Sequence, residues 1–167
     1  SFLMNRERIN FVEAVKELAQ QVNIEIPQFS FSHSSQNDRA QRKTLENLNA
    51  LASTWFQRNL HDATQGHRAL NYLQNRGLTL NTLKEFGVGY ALPSWDALSQ
   101  YLQRQGGKVQ ELIQAGLVVA KEGGGHEEDM QKRCYDRFRD RVMVPIRDLR
   151  GTVMAFGGRQ LGEGTPK

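Results

Sequence analysis

At Leu117 the hydrophobic period of the chain changes. Before it, apolar residues recur every three or four positions: Leu45, Leu48, Ala52 and Trp55 make one stripe, and Ala69, Tyr72 and Leu73 another. After it, Val142, Val144 and Ile146 alternate with Met143, Pro145 and Arg147, and TVMAFGG follows a DLRG turn as a second strand. The first spacing belongs to amphipathic helices and the second to strands. Helices first and a hairpin afterwards predict an α+β fold, mostly helical, with a small antiparallel sheet near the C-terminal end. Pro145 suggests an edge strand or a bulge.

Punctuation residues divide the helical part. Residues 9–22 place Phe11, Val15, Leu18 and Val22 on one helical face, and the Ser-rich stretch 28–37, which has no period, reads as a linker. A long helix is expected from Asp38, as its N-cap, to about Leu60, with Trp55 and Phe56 in the core. Shorter helices follow: Gly66 to Asn75, closed by Gly77; one starting near Thr79 or Asn81; Ser94, as N-cap, to about Gln105; and Val109 to Ala115 before Gly116. LVVA reads as a short strand and KEGGGHEEDMQ as a flexible acidic loop.

Composition narrows the function. A single cysteine, Cys134, excludes an internal disulfide, and the four histidines show no metal-ligand spacing. No apolar run is long enough to span a membrane and the opening SFLMNRER lacks a secretion signal, so the expectation is a cytoplasmic protein with no membrane partner. Charge is uneven: residues 1–130 hold 13 basic and 14 acidic side chains, residues 131–167 hold 9 and 4. A local basic patch points to a polyanionic partner, although a solvated face has the same composition.

Extended backbone from Arg137 to Arg141 would put Arg137, Arg139 and Arg141 on one face at about 7 Å intervals, near the pitch of single-strand phosphates. Alternatively, Asp136, Asp140 and Asp148 neutralise them in surface ion pairs. Spacing alone does not choose between these. Gly157 and Gly158, before Arg159, allow positive φ or close backbone approach, but no GxGxxG or GxxxxGK[ST] phosphate motif is present. Arg76, before Gly77, is explained by the dipole of the helix it ends. No nucleophile stands beside a base, Glu127, Glu128 and Asp129 lie in a glycine-rich loop, and Cys134 reads as an apolar filler. The chain has the character of a binding surface.

The stretch YDRFRDRVMVPIRDLRGTVMAFGGRQLGEGTPK resembles the bacterial DNA primases, and the resemblance extends upstream through YLQNRGLTLNTLKEFGVGYALPSWDAL and FLMNRERINFVEAVKELAQQVNIEIP, nearly the whole chain. It implies a DNA-directed RNA polymerase, a nucleotidyltransferase making short RNA primers at the replication fork. By this resemblance residues 1–27 are a helical segment following a zinc-binding domain, 28–37 a linker, and 38–167 the N-terminal subdomain of the RNA polymerase core, ending before its Toprim part. Mg²⁺ or Mn²⁺ belongs to Toprim and Zn²⁺ to the zinc ribbon, which leaves this stretch without cofactor or catalytic residue and inactive alone. Arg76 matches the family's RG pair, Arg159 its FGGR, Lys167 its PKYLN, and Arg137 with Arg139 its RFR. These residues are implied to guide single-stranded template. Ala155 stands where relatives often carry glycine, and the YLN after Lys167 is missing. Implied partners are template DNA, ribonucleotides, RNA primer, and a replicative helicase met through a further domain. Two other readings stay open: a non-catalytic single-stranded-DNA-binding module, and a replisome protein-interaction segment docking through residues 9–22.

Overall fold

A computed structural model describes residues 36–121 and 134–161. The expected helix at 9–22, the linker up to residue 35, the acidic loop at 122–131 and Lys167 lie outside them. Five helices are described: α1 Gln36–His61, α2 His67–Asn75, α3 Leu80–Glu85, α4 Ala97–Arg104 and α5 Val109–Gln114. The strands are β1 Gly89–Ala91, β2 Val118–Ala120, β3 Cys134–Asp136, β4 Arg141–Arg147 and β5 Val153–Gln160. Mostly helical with a small antiparallel sheet, the fold is the α+β arrangement expected from the change of period.

Along α1, Leu48, Ala52, Phe56 and Leu60 are buried at four-residue spacing. Trp55 is only half-buried. It packs at the core's edge, stacked on Tyr101 at 6.0 Å and edge-on to Phe56 at 5.5 Å. The next four helices end alike. At α2 the N–H of Gly77 bonds to the Gln74 carbonyl at 2.8 Å and that of Leu78 to the Leu73 carbonyl at 3.2 Å. The same pair of bonds closes α3 at Gly87, α4 at Gly106 and α5 at Gly116. Each of these glycines has φ between +64° and +92°, where a side chain would be strained. At the start of α3, Thr79 Oγ1 accepts from the Thr82 N–H at 3.2 Å. Ser94 does not cap α4. That helix begins at Ala97 and takes its cap from β3, far along the chain.

The main sheet has the order β1-β4-β5, all antiparallel, and β2 pairs with β3 separately. β4 is therefore central, a correction to the edge position suggested by Pro145. Its partner β1 begins only at Gly89, opposite Met143, so β4 has no strand on that side from Val144 onward. Pro145 falls in this open stretch, just before a bulge at Ile146/Arg147. β1 itself, read from sequence only as a glycine-broken exit, forms because Gly89 lets it approach α1. A Cβ there would lie 2.5 Å from Phe56 Cβ. Met143 packs into the α1 side with Ala52 and Phe56, while Val144 and Ile146 face outward at 42% and 54% exposure. A second apolar cluster joins Leu60, Leu73, Leu83, Tyr90 and Val142. None of the described helices is long and apolar enough to cross a membrane.

Candidate nucleic-acid interface

The segment joining β3 to β4 is not a strand, so the condition under which period two would align its arginines is not met. β3 ends at Asp136 and β4 begins at Arg141, with a bent connection between them in which Asp140 adopts φ +48°. Two carboxylate anchors, one buried and one half-buried, give the connection its course.

Asp136 is 2% exposed. Its carboxylate accepts the Leu98 N–H at 2.8 Å and the Ser99 N–H at 3.0 Å, closing the N-terminus of α4 from outside that helix. Its own N–H donates to the Trp95 carbonyl at 2.7 Å, and its carbonyl accepts from the Arg139 guanidinium. Burial raises the Asp136 pKa above the ordinary carboxylate value, against the lowering effect of the two helix N–H bonds. One residue thus ties together the start of α4, Trp95 and Arg139. The result is a stack: the Arg139 guanidinium carbon lies 4.1 Å over the Trp95 ring and 5.0 Å from the Tyr135 ring. Trp95 remains 62% exposed.

Asp140 is the second anchor. Tyr90 donates its hydroxyl to Oδ1 at 2.8 Å, and Arg68 approaches Oδ2 at 3.4 Å. Burial, then the hydrogen bond to Asp140, pushes the Tyr90 pKa up to about 12. The left-handed turn at Asp140 lets neighbouring arginines open into one cleft of about 450 Å³, lined by Arg137, Arg139, Arg141, Trp95, Asp140 and Gln160.

The ion-pair alternative fails for these arginines. Asp136 is committed to α4, Asp140 to Tyr90 and Arg68, and Asp148 to the N–H groups of Arg150 and Thr152 at 2.9 and 2.8 Å. Among the described residues, none of the three forms an ion pair with Arg137, Arg139 or Arg141. Arg141 bonds instead to the Gly158 carbonyl at 3.3 Å and to Gln160 Oε1 at 3.4 Å. Arg137 is exposed, and its guanidinium bonds to none of the described residues.

Arg159 is exposed on β5, opposite Val142 and next to Gln160 of the cleft. Neither glycine before it has a positive φ. A Cβ on Gly158 would sit a tight 3.2 Å from the side-chain atoms Arg141 Cδ and Met143 Sδ, whereas one on Gly157 would meet only the Val144 carbonyl at 4.0 Å. Arg76 does not line the cleft. It caps the C-terminal end of α2 with its guanidinium 5.1 Å from the Tyr72 ring. Arg68, Tyr72 and Arg76 recur at four-residue spacing, a row of about 12 Å along one face of α2 that starts beside Asp140. Sequence reasoning missed Trp95, Arg68 and Tyr72. The i, i+4, i+8 spacing was a usable signal for the last two, and an exposed tryptophan beside basic residues is visible only in the fold. Among the described residues no three His, Cys, Asp or Glu side chains gather as a metal site. Cys134 packs against the core, and burial pushes its thiol pKa up.

Arginines that present planar donor forks beside an open indole can grip phosphates and stack a base, the means by which proteins hold a single strand without reading its sequence. The class of surface is cationic and aromatic, of the kind suited to a polyanion. Residues 55–167 match the family described as DNA primase catalytic core, N-terminal domain, and the chain belongs to that family. It is 44% identical to the DNA primase of Escherichia coli strain K12 over 99% of this chain and 27% of that protein. The chain thus spans about a quarter of the length of such relatives. A solved structure of the DnaG primase catalytic domain bound to ssDNA is 42% identical, with a TM-score of 0.64 over 77% of this chain and 37% of that one. A DNA primase domain from Pseudomonas aeruginosa is 40% identical, with a TM-score of 0.61 over 74% and 36%.

Proposed function

We propose that this chain is the template-guiding portion of a DNA primase, a DNA-directed RNA polymerase that makes short RNA primers at the replication fork. Residues 38–167 act as the N-terminal subdomain of its RNA polymerase core, joined through a linker at 28–37 to a helical segment at 1–27. Arg137 and Arg139 hold template phosphates in the cleft, Arg159 and Lys167 continue the track, and Arg76 extends it along α2. Trp95 offers its open face to a template base. Contacts of this kind position a strand and leave sequence choice to other parts of the protein. Nucleotidyl transfer with Mg²⁺ or Mn²⁺, the Zn²⁺ ribbon and the contact with a replicative helicase belong to the rest of the longer protein. Among the described residues no three His, Cys, Asp or Glu side chains gather as a metal site.

The observation that carries this reading is the cleft that joins three arginines to the Arg139–Trp95 stack. Fluorescence anisotropy of the protein with labelled single-stranded DNA, from about 50 to 200 mM salt, tests it. Affinity is expected to fall with salt, and Arg76→Ala with Arg159→Ala to weaken binding and flatten the salt slope. Binding indifferent to these substitutions and to Arg139→Ala would sink the assignment. Template-dependent primer synthesis by the longer protein separates primase from a non-catalytic binding module.

A further inference from the structure

We propose that a second stretch of the same single strand seats at the far end of the β4–β5 hairpin, in a basic cleft separate from the one already described. The inference rests on the reading of the first cleft as a single-strand site. The hairpin turn at 148–151 stands against the first two turns of α1, and the space between them, about 580 Å³, is lined by Arg39, Arg42, Lys43, Leu149 and Arg150. Helical spacing puts the three α1 cations side by side. About two turns further along α1, Asn49 Nδ2 donates to the Met154 carbonyl at 3.1 Å, fixing the helix wall of the cleft to the strand wall.

The acids that line this cleft are already engaged. Glu46 accepts from Arg42 Nε at 2.9 Å. Asp148 accepts from the backbone of Thr152 and Arg150, bonds that hold its carboxyl below the usual range and keep it inside the turn. The Lys43 ammonium and the Arg150 guanidinium form no hydrogen bond or close ion pair with the described residues, Arg150 acting on Asp148 only by attraction through space. Leu149, fully exposed at the lip, adds an apolar surface against which a base can rest. The cleft is therefore cationic with one apolar contact, a combination suited to phosphate and base together.

The hairpin connects the two clefts. Arg141 and Gln160, at its open end, line the first, and Asp148 to Thr152, at its turn, line the second. Seven residues of β4 separate them by about 20 Å at the usual rise of a strand. Neither β4 nor β5 contains an acidic residue. A strand leaving the first cleft meets no acidic side chain on either strand of the hairpin before it reaches the turn, where the one acid, Asp148, is bonded to backbone N–H groups. This continuity favours nucleic acid over an acidic protein segment as the occupant.

The test uses the full-length protein and two labelled single strands, of about six and about twenty nucleotides, the shorter able to fill the first cleft alone. Lys43→Gln with Arg150→Gln is expected to leave binding of the short strand unchanged. For the long strand it should flatten the slope of log affinity against log salt by about 1.4, two phosphate contacts at roughly 0.7 each. Lys43→Glu, at an exposed position, should lower long-strand affinity further while a thermal melt reports an unchanged fold. An unchanged slope for the long strand, or equal losses for both strands, overturns the proposal. So does a double variant that loses an acidic peptide such as poly-glutamate while keeping DNA. Arg137→Ala with Arg139→Ala, run in parallel, checks the first cleft: loss of both strands supports it, and loss of neither sinks that reading independently of Lys43 and Arg150.

Discussion

Replacing Asp136 with alanine removes both acceptors at the N-terminus of α4 at a site that water does not reach. Loss of an N-cap costs about 0.5–2 kcal/mol, and a buried donor left without a partner about 1–3 kcal/mol. Leu98 and Ser99 would both lose their acceptor, so the expected loss for Asp136→Ala is about 2–4 kcal/mol, or a Tm roughly 5–15 °C lower for a domain of this size. Asp136→Asn keeps one acceptor oxygen but turns an amide NH₂ toward the second donor, and should lose about half as much. Urea unfolding followed by tryptophan fluorescence measures both; the Arg139–Trp95 stack, tied to residue 136 through its backbone N–H and carbonyl, should persist in the alanine variant. A loss below about 1 kcal/mol, or an asparagine variant as stable as the wild type, would refute the capping argument. The pH dependence gives an independent check. Burial raises the folded pKa of Asp136 above its ordinary 3.8. Its contribution to stability is then fully present below that value and is lost as pH rises through the folded pKa. The deficit of Asp136→Asn should therefore shrink as pH is raised through that window. A growing deficit would mean that hydrogen bonding to the carboxylate outweighs its burial.

Other substitutions separate neighbouring positions. Gly158→Ala should cost no more than about 1 kcal/mol, since the Arg141 and Met143 side chains need give by only a few tenths of an ångström, and Gly157→Ala should be nearly neutral; thermal melts compare them directly, and a larger loss at 158 would show those side chains to be rigidly held. Gly89→Ala should destabilise by about 3 kcal/mol or more, because the clash is with the α1 backbone and no rotamer relieves it, an outcome read from the urea midpoint. Asp140→Asn, which tolerates the left-handed backbone and still accepts from Tyr90, should lose less than about 1 kcal/mol, and Asp140→Ala about 2 kcal/mol. Equal losses at that position would show that neither the backbone conformation nor the Tyr90 bond matters. Both variants should weaken single-strand binding more than Tyr90→Phe does, as measured by anisotropy.

The helices were legible because their signals are local. Gly77, Gly87, Gly106 and Gly116 stand where the helices end, Thr79 stands where α3 begins, and the apolar stripes have the right period. The hairpin was legible too, from its alternation and from DLRG. What was not legible depends on distant partners. Ser94 looked like a cap, but the acceptor that closes α4 belongs to Asp136, 38 residues away from Leu98. Alternation in β4 did not say which side is buried: Met143 faces α1, while the equally apolar Val144 and Ile146 face outward. The arginines converge on one cleft through the left-handed turn at Asp140, a residue type that gives weaker warning of such a turn than glycine does. Trp95 was passed over because nothing local distinguishes an exposed tryptophan from a core one. The family motifs singled out Arg137, Arg139 and Arg159, and left Arg68, Tyr72 and the basic lip at Lys43 and Arg150 unremarked.

The pairing of β1 with β4 has a consequence for the order in which the protein is made. Ala91 pairs with Arg141, about 50 residues later. At about 5–20 residues per second of synthesis, β1 leaves the ribosome roughly 3–10 s before its partner exists. During that interval its strand edge is open to pairing with another chain. The helices ahead of it are already complete, and Gly89 lets β1 lie directly against Phe56 of α1 while Tyr90 joins Leu60, Leu73 and Leu83. That cluster then lacks only Val142 among its buried members. The nascent chain can thus hold β1 in place on a finished helical surface, and β4 completes the sheet by docking onto a strand that has been kept waiting for it.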